Sequence, residues 1–235
     1  MEAMSKRERL KATIQGEPTD RAPVALWRHF PGDDQDPVGL AASTVAFQKQ
    51  YDWDFIKVTP ASSFCARDWG VEDYWLGNQE GTREYSHHPI RMPDHWYALQ
   101  RLEPDQGTLG AQLRCLGLIR EAIGEDVPFV QTIFNPLSQA KNLVGKQHLV
   151  AHMRQDPVAV RTGLETITAT TVRFIEAARE QGIDGIFLAV QHASYELMCE
   201  REYEEFGVPF DRRLLDAASG LWLNVLHIHL SLIHI

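Results

Sequence analysis

The stretch from Gly182 to Ser194 constrains the fold of this chain more than any other. A long helical pattern that begins at Pro157 ends at Gly182, and a short apolar run follows from Ile186 to Val190. That run has the length of a strand, carries β-formers at both ends and shows no helical period. A strand that is apolar along its whole length is buried on both faces, as in a parallel sheet covered by helices.

Two polar side chains, Gln191 and His192, come directly after this predicted strand. In α/β folds the binding and catalytic residues lie at the carboxyl ends of the strands, where the loops begin. We therefore predict that Gln191 and His192 contribute to a binding site. The alternative is that they only hydrogen-bond to the backbone of their own loop.

The same alternation of strand and helix runs through the whole chain, and it is typical of a parallel sheet with right-handed crossovers. Residues 61–107 are less regular and are predicted to form an insertion or a short hairpin. The predicted strands are 21–27, 54–58, 129–133, 186–190 and 221–229, and the predicted helices are 5–16, 38–51, 109–123, 137–144, 147–155, 157–181 and 211–219, with a short helix or linker at 202–206.

The composition narrows the class of protein. The chain has 235 residues, of which 44% are hydrophobic and 23% charged, and this suits one large globular domain. A formal net charge of −9 without a basic stripe argues against a nucleic-acid partner, and no apolar run is long enough to span a bilayer. Three scattered cysteines without a CxxC spacing indicate a reducing compartment, so we expect a cytoplasmic protein. A small anionic substrate stays compatible with the net charge, because a few basic side chains can dominate locally.

Three segments together resemble the uroporphyrinogen decarboxylase superfamily. They are Ser5–Gly16 with the following Asp-Arg-Ala-Pro-Val, the Asp-Phe-Ile-Lys-Val of residues 54–58, and residues 182–191. The resemblance spans nearly the whole chain and implies an α/β fold of the (β/α)8 TIM-barrel type. We expect a single domain over residues 1–235 with five or six parallel strands present. We also expect the barrel to be incomplete and the C-terminus truncated, because residues 231–235 contain no glycine or proline after the last predicted strand.

The resemblance implies a cofactor-free carboxy-lyase that acts on a polycarboxylated tetrapyrrole in porphyrin biosynthesis. Such a substrate requires guanidinium forks, and Arg28 matches the family's first substrate-binding arginine. The family's essential aspartate is expected just after the second strand, where this sequence has Thr59, so no catalytic residue is assigned. The predicted substrate-binding residues are Arg28, His29, Asn135, Gln191 and His192.

A second reading comes from the methyltransferase branch of the same superfamily, which carries zinc on a His-x-Cys pair after a strand and works with a corrinoid partner. The comparable place here is His227-Ile-His229. Two histidines separated by one residue on a strand face the same side, and imidazole is a good zinc ligand. The first reading requires no metal, whereas this alternative requires zinc on His227 and His229. A third reading is a ligand-binding or inert protein, and a homodimer is the assembly to test.

Overall fold

The computed structural model describes residues 3–229, which form an α/β fold with two sheets. Four parallel strands make the main sheet, and two antiparallel strands make a hairpin beside it. The strands are β1 (Ile56–Val58), β2 (Glu72–Trp75), β3 (Arg83–His87), β4 (Phe129–Phe134), β5 (Gly185–Val190) and β6 (Val225–Ile228). The helices are α1 (Lys6–Gln15), α2 (Pro37–Tyr51), α3 (Gly107–Ile123), α4 (Pro136–Val144), α5 (Leu149–Gln155), α6 (Pro157–Glu180), α7 (Glu200–Phe206) and α8 (Val208–Ala217).

The main sheet has the order β1-β4-β5-β6, in which chain order and spatial order agree. Helices connect each strand to the next, as in the wall of a (β/α)8 barrel. The predicted fold class is confirmed, and so is the hairpin within residues 61–107. The expected count of five or six parallel strands is wrong for the described residues, which contain four.

The missing strand is the one predicted at residues 21–27. Within this segment the structure has no regular secondary structure after the bend at Arg21, and the segment is held to the sheet through Asp54. The Val24 N–H donates to the Asp54 carboxylate at 2.7 Å, and the Asp54 N–H donates to the Val24 carbonyl at 2.9 Å. Pro23 lacks the N–H that a ladder would use. The last predicted strand is also shorter, since its first residues form a turn that Asn224 closes with hydrogen bonds to the Ala218 and Leu221 carbonyls.

Successive side chains of a strand point to opposite faces of the sheet, so the two faces of the parallel sheet carry different sets of residues. One face packs against the helices and is apolar, with Val58, Ile133, Leu188 and their neighbours in a single buried cluster. The opposite face would be the barrel interior. Its side chains are Lys57, Thr59, Val130, Thr132, Phe134, Phe187, Ala189, Gln191, His227 and His229.

Helix α1 closes the amino-terminal end of the sheet. A capping box between Ser5 and Glu8 starts the helix, and Leu10 packs against the inner residues Val130 and Phe187. Charged pairs fix its position: Arg9 binds Asp54 at 2.6 Å. Helix α1 therefore covers the amino-terminal end of the inner face.

A close backbone approach explains Gly185 at the start of β5. A Cβ atom there would lie 1.7 Å from the Leu223 carbonyl oxygen, so only glycine lets the turn before β6 cross this point. Within residues 3–229, no helix has both the length and the hydropathy needed to cross a membrane. Residues 230–235, which carry the expectation of an unusual C-terminus, lie outside the described part of the chain.

Candidate active site

A cavity of about 390 Å³ lies at the carboxyl ends of the parallel strands, on the inner face of the sheet. Every parallel strand, or the residue that follows it, contributes side chains to it. The hairpin β2–β3 forms a side wall, and Gly81 at its turn packs so closely on His29 that a Cβ would lie 2.5 Å from the His29 Cβ. The chemically active lining residues are His29, Lys57, Thr59, Arg83, Tyr85, Lys141, Gln191, His227 and His229.

His227 and His229 lie side by side on the cavity wall. The Nε2 atom of His227 is 3.4 Å from the Nδ1 atom of His229. The His227 ring stacks on Phe187 with ring centres 5.3 Å apart, which restricts its rotation. Partial desolvation, together with His229 and Lys57, lowers the pKa of His227, so that its imidazole is neutral at physiological pH.

This spacing fits two ligands of one zinc ion. Zinc binds histidine nitrogen at about 2.0–2.1 Å in tetrahedral geometry, which places two such nitrogens roughly 3.3 Å apart. Neutral imidazole is also the form that binds a metal. Among residues 3–229, however, no group of three or more His, Cys, Asp or Glu side chains is close enough to hold an ion. The described residues therefore offer two donor atoms and leave the remaining coordination positions to other groups.

Lys57 lies in the middle of β1 with its side chain in the cavity. Its Nζ atom is 4.7 Å from the centre of the Phe187 ring and 5.3 Å from that of Trp27. The one polar contact that the described residues offer its ammonium group is the Thr59 hydroxyl, at 3.4 Å. Burial lowers the pKa of Lys57 to about 8.

Gln191 connects the cavity to a buried network of hydrogen bonds. The Ser138 hydroxyl donates to its Oε1 atom at 2.5 Å, and the Ser138 N–H donates to the Asn135 side chain at 3.2 Å. Asn135 in turn donates to Asp211, which also accepts the Tyr203 hydroxyl at 2.5 Å. These bonds hold the Gln191 amide in one orientation.

A second chamber of about 300 Å³ adjoins the first and shares Lys141, Gln191 and His229 with it. His192 lines this chamber and is only 5% exposed. Burial, and to a smaller extent Lys141 and Lys146, lower the pKa of His192 to about 4, so this ring is neutral. Its Nδ1 atom is buried without a hydrogen-bond partner among the described residues.

The structure brings together some of the predicted site residues and separates others. His29, Thr59, Gln191, His227 and His229 line the main cavity, and His192 lines the second chamber. Arg28 does neither. Its side chain is exposed, packs on the Phe30 ring and donates to the His29 carbonyl.

Asn135 lies at the end of β4, as predicted, but it does not reach the cavity. It is fully buried and caps helix α4, with its Oδ1 atom accepting the Ser138 N–H. Its link to the cavity is indirect, through Ser138 and Gln191.

Lys57, Arg83, Tyr85 and Lys141 are cavity residues that the sequence did not reveal. Lys57 had an available signal, because a lysine within a strand buried on both faces is unusual. Arg83 and Tyr85 come from the hairpin, and no local pattern indicates where a hairpin will pack.

The side chains that line the cavity carry more positive than negative formal charge. Within the described residues no aspartate or glutamate lines it. Arg83 is neutralised by Asp73 at 2.5 Å and by Asp34 at 3.3 Å. Lys57 and Lys141 have no carboxylate partner among residues 3–229, so both charges are uncompensated.

A parallel α/β sheet with a ligand cavity at the carboxyl ends of its strands defines a barrel-type protein with its site in the usual place. The family model for uroporphyrinogen decarboxylase (URO-D) matches residues 5–232, and the chain belongs to this family. The fold agrees: a solved methyltransferase from Methanosarcina mazei superposes with a TM-score of 0.82 at 20% identity, covering 96% of this chain and 70% of that one.

Curated relatives are methyltransferases. The chain is 25% identical over 142 residues to the methylcobamide:CoM methyltransferase MtbA of Methanosarcina acetivorans, and 24% identical to MtbA of Methanosarcina mazei. Each match covers 60% of this chain and 42% of the relative. The methylcobamide:CoM methyltransferase MtaA of Methanosarcina barkeri is 21% identical over 97% of this chain and 70% of its own length.

Proposed function

We propose that this protein is a zinc-dependent methyltransferase of the URO-D superfamily that takes a methyl group from a corrinoid donor. The observation that carries the proposal is the pair of imidazole nitrogens of His227 and His229, 3.4 Å apart in the main cavity. The relatives support it, because three similar proteins are named as methylcobamide:CoM methyltransferases.

In this proposal His227 and His229 hold the zinc ion through nitrogens that are already adjacent. Bound zinc would supply a Lewis acid that keeps a thiol ligand deprotonated at neutral pH. The remaining roles belong to side chains of the protein itself. Phe187 restricts the His227 ring, and the uncompensated charge of Lys57 favours an anionic substrate in the cavity. The Gln191 amide, held by Ser138, offers a hydrogen bond of fixed direction.

The uroporphyrinogen decarboxylase reading has less support. That chemistry leaves a protonated, cationic pyrrole, which a nearby carboxylate would stabilise. No carboxylate lines the main cavity within the described residues, and Thr59 hydrogen-bonds to the Lys57 backbone carbonyl instead. Arg28, the expected carboxylate ligand, lies outside the cavity.

The test is metal binding followed by methyl transfer. Purified protein should bind zinc, and cobalt(II) in its place should give the visible absorption of a tetrahedral site. His227→Ala and His229→Ala should each weaken zinc affinity by more than about tenfold, since loss of an outer-shell contact alone produces that much. His87→Ala is the matched control, because His87 ends β3 outside the main cavity.

Methyl transfer is then followed by the spectral change of a methylcobamide donor with CoM as acceptor. A chelator should abolish the reaction, and added zinc should restore it. Equal zinc affinity in the wild type and in the double histidine variant would refute the proposal.

A further inference from the structure

The second chamber, of about 300 Å³, has no role in the proposed methyl transfer. Its volume lies at the lower end of the range for small-molecule pockets. It shares Lys141, Gln191 and His229 with the main cavity, but most of its wall is its own. The residues that line this chamber and not the main cavity are Lys146, His192, Ser194, Glu196 and Leu197. The chamber can therefore hold a ligand separate from one in the main cavity.

Two lysines bring positive charge to this chamber. Lys141 lies in the last turn of α4, and Lys146 follows the Gly145 that caps the same helix. Burial lowers the pKa of Lys141, and the charge of Lys146 lowers it further. Glu196 is the one carboxylate among the described lining residues, and it is exposed. Because like charges repel, an anion that binds both ammonium groups removes a repulsion that the empty chamber contains.

The uncharged polar groups of the chamber are arranged as hydrogen-bond donors. The Ser138 hydroxyl donates to the Gln191 Oε1 atom, which leaves the Gln191 amide N–H groups for other partners. The Glu196 N–H donates to the Ser194 Oγ atom at 3.3 Å, which leaves the Ser194 hydroxyl proton for another acceptor. A ligand with several acceptor oxygens matches this set of donors.

His192 adds a buried ring to the same wall. It is 5% exposed, and its Nδ1 atom is buried without a hydrogen-bond partner among the described residues. Burial lowers the pKa of His192 to about 4, and the charges of Lys141 and Lys146 add to this lowering. The neutral ring carries one proton, which on Nε2 provides a further donor. Both lysine charges therefore act on the chamber wall, and the histidine adds no third charge.

We propose that the second chamber binds the phosphate group of a small phosphate monoester, with Lys141 and Lys146 as its cationic ligands. Gln191, His192 and Ser194 supply hydrogen bonds to its oxygens. A phosphate monoester is a dianion at neutral pH and matches two ammonium groups, whereas a carboxylate or a sulfonate carries only one charge. The site requires neither zinc nor a corrinoid, so it is independent of the proposed methyltransferase function.

The experiment measures binding of methyl phosphate to zinc-free protein by calorimetry at about pH 7, above the second pKa of a phosphate ester, which is about 6. Methyl sulfate is the comparison, because it has the same shape and one negative charge fewer. Methyl phosphate should bind about tenfold or more tightly than methyl sulfate, the gain typical of a hydrogen bond to a charged group. Equal affinity for the two anions would refute a site for a dianion.

Substitutions of exposed residues locate the site without disturbing the core. Lys146→Met changes a lysine that lines the second chamber and not the main cavity, and it should weaken methyl phosphate binding about tenfold or more. Lys146→Arg should retain most of the affinity, and Glu196→Gln should bind methyl phosphate at least as tightly as the wild type. Lys49→Met, at an exposed lysine of α2, is the charge-matched control and should bind it like the wild type.

Two further variants separate this site from the main cavity. Lys57→Met and His227→Ala change residues that line the main cavity and not the second chamber, so both should bind methyl phosphate like the wild type. Loss of zinc binding in His227→Ala with normal phosphate binding distinguishes the two sites. Methyl phosphate binding that is undetectable, that survives Lys146→Met, or that is lost with Lys57→Met would overturn the assignment.

Discussion

A buried carboxyl group in α8 makes the stability of this protein depend on pH in an unusual direction. Asp211 is 7% exposed and accepts hydrogen bonds from Tyr203 and Asn135, but no cation pairs with it within residues 3–229. Burial raises the pKa of Asp211 to about 6, against an ordinary value of 3.8. The hydrogen bonds from Tyr203 and Asn135 oppose this rise in pKa without cancelling it.

The direction of this pH dependence follows from how tightly Asp211 binds its proton in the folded and unfolded states. Between pH 4 and pH 6, roughly, folded Asp211 binds its proton more tightly than unfolded Asp211 does, so the free energy of unfolding falls as pH rises. The contribution of protonated Asp211 to the free energy of unfolding is fully present below its pKa in the unfolded state, and it is lost as pH rises through about 6. A rise of about two pKa units corresponds to roughly 3 kcal/mol, of which about 1 to 2 kcal/mol is lost between pH 5 and pH 7.5.

The assay is urea unfolding of the wild type and of Asp211→Asn at those two pH values. The difference in unfolding free energy between the two proteins should shift by about 1 to 2 kcal/mol in favour of the variant at the higher pH. Asp216→Asn, on the exposed side of the same helix, is the control and should show no such shift. A difference between wild type and Asp211→Asn that does not change with pH would refute the reasoning.

Three substitutions test the packing. Asp54→Ala removes an ionic partner of the buried Arg9 and should lower the free energy of unfolding in urea by about 3 kcal/mol. This value is at the low end of the range for a broken buried ion pair, because Arg9 keeps Asp20 as a second carboxylate partner. A loss below about 1 kcal/mol would contradict this expectation. Gly163→Ala should lower the melting temperature, since its Cβ would lie 2.4 Å from the buried Trp96 ring and overpacking costs about 1–3 kcal/mol. Gly117→Ala, whose Cβ meets only the end of one glutamine side chain, should be neutral or stabilising by up to about 1 kcal/mol; equal losses in both glycine variants would contradict the packing argument.

Relations along a single element could be predicted from the sequence. The apolar run of β5 indicated a sheet covered by helices, and the structure confirms it. The spacing of His227 and His229 predicted one shared face, because alternate residues of a strand point the same way. Both inferences depend on the period of one strand, which the local sequence contains.

Relations between elements were decided by the tertiary structure. Residues 21–27 do not pair as a strand, and their backbone instead binds the carboxylate of Asp54, which lies 30 residues further along the chain from Val24. Arg28 and Asn135 follow segments that end near the site, yet the first packs outward on Phe30 and the second turns back to cap α4. Strand-end position alone does not determine where a side chain points.

The sequence by itself determined the class of fold and the placing of His227 and His229 on one face of a strand, because periodicity and apolar pattern are local properties of the chain. Only the tertiary structure decided that Lys57 meets Trp27 and Phe187 and that no carboxylate of residues 3–229 pairs with it. The reason is physical: the charge balance of a cavity is a sum over side chains that lie far apart in sequence. Strand register and hairpin packing bring those side chains together.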